Sequence, residues 1–171
     1  TIYFPYWENN AAWQSFVSFA NPAATPITVT VTARAEDGST LGTAAIVLAG
    51  HAKQGAFVNS LIPAATGRGW LAVEGTGPVT GLMNVDDRAN RMGSYLATIP
   101  QDKALFSHFH NIAGQWRTHY SVVNIGPSLT VSLTTFRADG TIVSIVPITL
   151  ATNNMRYDVT AAGLGWVRIA P

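Results

Sequence analysis

The chain has 171 residues, 47% apolar and only 11% charged, against about 25% charged in an average globular protein. Ten basic and nine acidic side chains leave a net charge of +1, which excludes the basic field that a nucleic-acid partner requires. No apolar run approaches the roughly 18 residues of a membrane helix, and the absence of cysteine excludes disulfides, thiolate catalysis and zinc sites built on sulfur.

The sequence opens at Thr1 rather than Met, as expected of a processed or excised chain. Tyr3, Phe4, Tyr6 and Trp7 crowd the first strand, and alternation sends some of these rings to each face. Tyr3, Tyr6 and Trp7 are therefore candidate ligand contacts, because amphipathic rings give contact area at low entropy cost. The plainer role is that Phe4 and one partner plug the end of a sandwich. In the strand over 13–21, Trp13, Val17 and Phe19 share the core face, while Gln14, Phe16 and Ser18 face solvent or a partner. Phe16, and His119 at the matching place of the 116–124 block, join the candidate ligand contacts on that ground.

Strict apolar–polar alternation over 27–31 marks a half-buried strand, and Asp37-Gly38 between β-branched runs marks a hairpin. Further strands are expected over 43–48, 54–59, 70–74, 79–84 and 95–99, with a helical turn over 86–92. Asp86-Asp87-Arg88 and Glu74 are the densest acidic grouping. A glycosidase needs two carboxyls roughly 5–9.5 Å apart, and a capped loop accounts for the cluster without chemistry. The boundary falls in Pro100-Gln-Asp-Lys103, dividing the chain into 1–100 and 101–171.

Beyond it the first half recurs, about a hundred residues on. Phe4-Pro5-Tyr6 returns as Phe106-Ser107-His108, the 13–21 block as 116–124, and the alternating strand as 129–133. Asp37-Gly38 returns as Asp139-Gly140, and Gly67-Arg-Gly69-Trp70 as Gly163-Leu-Gly165-Trp166. Five blocks in one order are an internal duplication. Strands are also expected over 142–150, at an edge or bulge because Pro147 lacks a ladder donor, and over 155–159. The second copy stops at Pro171 and lacks the counterpart of residues 76–99, enough for two strands. Either the protein runs on, or those strands come from a neighbour through strand exchange or a homo-oligomer. The fold class is thus all-β: two tandem antiparallel β-sandwich units, the second without its last strands.

His108, His110 and His119 lie within twelve positions. Two imidazoles two apart on a strand can share a metal, with His119 as a third ligand. The duplication argues for packing instead, since Tyr6 stands at the place of His108 and Phe16 at that of His119. No G-x-S-x-G elbow and no phosphate cradle occurs. No catalytic residue and no cofactor is expected.

Phe4-Pro5-Tyr6, Trp13-x-Ser15, Asn21-Pro22, Asp37-Gly38, Gly69-Trp70 and Pro78-Val79-Thr80-Gly81 resemble a bacterial extracellular tandem β-sandwich repeat. The second copy carries Phe106-Ser107-His108, Trp116-x-Thr118, Asn124-x-Gly126, Asp139-Gly140 and Gly165-Trp166. The resemblance implies a non-enzymatic surface module for adhesion, scaffolding or ligand presentation, extracellular or periplasmic, with a protein or glycan partner. A carbohydrate-binding or sensory ligand-binding domain is the alternative, and a metal-dependent hydrolase the third.

Overall fold

Alternation of apolar and polar side chains is carried through into strands along nearly the whole chain. The computed structural model describes residues 1–89, 91–112, 117–160 and 162–171, with the backbone alone for 106–110. The chain divides into two compact units, Thr1–Pro100 and Gln101–Pro171.

The first unit contains β1 (Ile2–Asn9), β2 (Gln14–Ala20), β3 (Ile27–Ala35), β4 (Thr40–Leu48), β5 (Lys53–Phe57), a single helical turn α1 (Val58–Leu61), β6 (Gly67–Gly75), β7 (Thr80–Asp86) and β8 (Met92–Leu96). One antiparallel sheet runs β1-β6-β3-β4 and the other β5-β2-β7-β8. Between them Phe4, Trp7, Val17, Phe19, Val29, Val31, Leu71, Val73 and Met83 form a core from which water is excluded. Phe4 meets Phe19 and Tyr95 edge to face, at centroid distances of 6.1 and 6.3 Å, a geometry that aromatic quadrupoles favour. The face assignment for the second strand holds: Val17 and Phe19 are buried, while Phe16 and Ser18 are half-exposed.

Tyr95 sets a pH limit on this core. Burial raises its hydroxyl pKa far above the ordinary value, so the folded state holds the neutral phenol and the unfolded state releases the proton near pH ~10. The stabilisation is therefore complete below that pH and lost as the pH climbs above it. Denaturant unfolding is expected to show the first unit weakening between about pH 9 and about pH 11 in the wild type and much less in Tyr95→Phe.

The second unit contains β9 (Ala104–Asn111), β10 (His119–Val123), β11 (Leu129–Arg137), β12 (Ile142–Leu150), β13 (Met155–Val159) and β14 (Gly163–Ala170). Its larger sheet runs β12-β11-β14-β9, the order of β4-β3-β6-β1 in the first unit. Pro147 lies in β12 at the sheet edge, opposite Ser132. Beside β10 the described strands include only β13, whereas β2 lies between β5 and β7. The positions of β7 and β8 thus have no counterpart among the described residues.

Details repeat along with topology. The Asn21 amide donates to the carbonyls of Thr25, Leu48 and Ala49, and the Asn124 amide to those of Pro127, Leu150 and Ala151. Both asparagines are buried, where a multiply bonded amide fixes loop to strand. The N–H of Ser39 bonds Asp37 and that of Thr141 bonds Asp139, each at 2.9 Å. These bonds, with the Ser39 and Thr141 hydroxyls, hold both carboxyls below their ordinary pKa. Gly38 and Gly140 both have φ of +86°, which the hairpin turn requires. Asn9 donates to Ala65 and Asn111 to Thr160, again at matching places.

Three local expectations fail, among them the strand over 95–99, since β8 runs from Met92 to Leu96. The described residues of 86–92 form no helical turn: Asp86 accepts from the Arg88 N–H, and Asp87 from those of Ala89 and Arg91, so these side chains stabilise a loop. The strand expected over 54–59 ends at Phe57, where α1 begins. No helix among the described residues is long and apolar enough to cross a membrane.

Candidate functional site

The candidate contacts Tyr3, Tyr6, Trp7 and Phe16 do not converge within the first unit, and His119 belongs to the second. Tyr3 pairs with Ala72 and lies on the outer face of β1-β6-β3-β4, its ring 6.2 Å from that of Trp70. The Arg34 guanidinium covers the same indole at 5.4 Å, so Trp70 is almost wholly buried although it points away from the core. Tyr6 packs against the core, and its hydroxyl donates to the Glu8 carboxylate.

Trp7 is a correction. It is 0% exposed and belongs to the core, so it contacts no ligand. The register of β1 against β6 shifts between Phe4 and Trp7. That bulge turns inward a residue which simple alternation sends to the face opposite Phe4.

Phe16 remains on a surface, the outer face of β5-β2-β7-β8. Its cross-strand partners are Phe57 and Asn84, and Ser94 lies opposite Asn84 one strand further. Phe16 meets Phe57 edge on at 5.4 Å and 82°. The Ser94 hydroxyl donates to Asn84 Oδ1 at 2.7 Å. In the adjoining rows the Gln14 amide donates to both Asp86 oxygens at 3.0 Å, while Met92 and Leu96 are 68% and 71% exposed. The face therefore offers an aromatic pair and two large aliphatic side chains interleaved with amides and a hydroxyl, arranged on paired strands. Such a mixture supplies apolar contact area with polar groups for orientation.

His119 lies in the second unit at the position of Phe16. It stacks on Tyr157 at 5.0 Å and 3°. Gly55 stands where Tyr157 is in the second unit, and the Phe16 ring covers it so closely that an added Cβ would lie 2.7 Å away. The exchange of glycine for tyrosine thus converts an edge-on pair into a stacked one. Asp158 nearby has its carboxyl held below the ordinary value by the Val159 N–H and then by Arg156. The side chains of His108 and His110 lie outside the described residues, as does Trp116. Among the described residues no group of three metal-ligating side chains gathers.

Phe57, Asn84, Ser94, Met92 and Leu96 were not singled out from sequence. Phe57 was accessible in principle, because parity within its strand puts it on the face of Gly55. The others depend on which strands pair, and only the register shows that.

No protein-family model matches the chain, and no curated protein matches it. Two solved structures show a likeness. The crystal structure of Bacteroides uniformis β-glucuronidase aligns over 89% of this chain and 20% of its own, at 16% identity and a TM-score of 0.27. A calcium-binding mutant of Bacteroides uniformis β-glucuronidase 2 aligns over 93% of this chain and 21% of its own, at 15% identity and a TM-score of 0.23. The chain spans about a fifth of each of them.

Proposed function

We propose that the chain is a non-enzymatic β-sandwich module that acts outside the bacterial cytoplasm in adhesion or scaffolding. It presents the outer face of β5-β2-β7-β8 to a partner surface. The observation that supports this is the row Phe57, Phe16, Asn84 and Ser94, flanked by exposed Met92 and Leu96. Large apolar side chains on a rigid sheet face bind without the costs of ordering a loop. The alternation of rings with Gln14 and Asn84 also favours a second reading, in which the partner is a glycan held by ring contacts and amide hydrogen bonds.

The test is binding of the intact chain to a glycan array and to bacterial surface proteins, alongside the double substitution Phe16→Ala and Phe57→Ala. Retention is expected to fall about tenfold or more in the variant, since buried aromatic anchors each carry over 1 kcal/mol of binding. Unchanged retention removes this face from the proposal. Turnover in a broad hydrolase screen overturns the non-enzymatic reading itself.

A further inference from the structure

We infer that β12 of the second unit is a self-association edge, which pairs antiparallel with β12 of a second copy of this chain. β12 ends its sheet, is nine residues long and carries no charge. Natural edge strands are kept short or guarded by charge, proline or a bulge. β12 lacks the first two, and has Pro147 and a register shift between Ile142 and Ser144. Ile142, Val143, Ile145 and Val146 are all large and exposed, Ile145 at 60%. Their register partners show that the equivalent edge of the first unit, β4, has Thr40, Thr43 and Ala44 at the places of Ile142, Ile145 and Val146.

The inner side of β4 is also covered: Ile62 stands so close to Gly42 that an added Cβ would lie 2.9 Å from it. In the second unit only residues 160–162 link β13 to β14, whereas residues 58–66, with α1, link β5 to β6. Among the described residues β12 therefore exposes four large apolar side chains along its edge, whereas β4 exposes Val47 alone.

A second copy is the occupant that fits. The strand itself carries no charge, so an identical neutral strand meets it without repulsion, and a net charge of +1 opposes association little. Pro147 restricts the pairing. A proline in a paired strand keeps its nitrogen away from the ladder, so it faces the open edge and blocks pairing there. Residues 142–146 remain. Pairing about a two-fold axis at Ser144 sets Val143 against Ile145 and, across the register shift between Ile142 and Ser144, Ile142 near Val146, apolar on apolar. Because a two-fold contact uses the same edge of both copies, it closes at a dimer. The contact is small, so the dimer is weak.

Light scattering on the eluted chain is expected to show its mass rising from monomer toward dimer with concentration. Ile145→Lys remains monomeric, and Val47→Lys, on the exposed edge of the first unit, behaves as the wild type. The chain has no cysteine, so Ser144→Cys is expected to cross-link to itself on mild oxidation and Val47→Cys is not. Antiparallel opposition brings Cα atoms to about 4.5–5.5 Å, within disulfide reach. A wild type that stays monomeric at its solubility limit, an Ile145→Lys variant that still dimerises, or a Ser144→Cys variant that cross-links no better than Val47→Cys overturns the inference. Loss of glycan or protein retention in Phe16 variants leaves these readouts unmoved, which separates this surface from the outer face of β5-β2-β7-β8.

Discussion

Trp7→Ala unfolds the first unit or leaves it marginal, with an expected loss of about 3–5 kcal/mol. The indole is wholly buried, so truncation creates a cavity in the core that it shares with Phe4, Leu71 and Val85. A domain stable by about 5–15 kcal/mol has little reserve against that. The indole N–H has no hydrogen-bond partner among the described residues. Trp7→Phe therefore removes ring volume but also a buried unsatisfied donor, and its expected cost is less than half that of alanine. The register supports this choice, because Phe109 stands opposite Gly165 as Trp7 stands opposite Gly69. Chemical denaturation of the three proteins checks the order wild type, Trp7→Phe, Trp7→Ala.

Gly69→Ala is expected to cost about 3 kcal/mol or more, at or above the usual limit for added core volume. A Cβ at this position would lie 1.8 Å from the Arg34 carbonyl oxygen and 2.8 Å from the Trp7 ring. The ring has some freedom to move. The carbonyl belongs to the neighbouring strand, where Arg34 follows a register irregularity in the pairing of β3 with β4, and relieving the clash means parting β3 from β6. The combination with Trp7→Phe separates the two causes. If the ring were the obstacle, the double variant would recover stability; recovery is not expected, because the backbone contact persists. Thermal unfolding of the single and double variants measures this, and full recovery would contradict the assignment.

Most of the strand order rests on signals that a sequence carries locally. Alternation in Ile27 to Val31 and the Asp-Gly turns state strand and hairpin because side-chain parity and positive φ are properties of neighbours. The recurrence of Gly69-Trp70 as Gly165-Trp166 likewise marks a place where a flat glycine admits a ring. Where local signals mislead, the cause is non-local. The bulge after Phe4 reverses the facing of Trp7, and Asp86 and Asp87 satisfy loop N–H groups that a helical turn would have used. The candidate surface was half legible. Phe16 follows from parity, but Asn84 and Met92 join it only through β2–β7 and β7–β8 pairing, which no periodicity reports.

Two copies of one topology in a single chain create a problem of identity during folding: a nascent strand has both a proper neighbour and a look-alike. The outer faces of β1-β6-β3-β4 and β12-β11-β14-β9 contain a means of telling them apart. In the first unit Arg34 lies over Trp70, whereas in the second Phe136 stacks on Trp166 at 3.9 Å and Arg168 reaches across that phenyl ring. Exchanging the tryptophan-bearing strands would set Arg168 beside Arg34, two guanidinium groups on one small patch. Like charges brought together in this way discriminate against the wrong pairing, so the divergence of the copies acts as a proofreading mark on assembly.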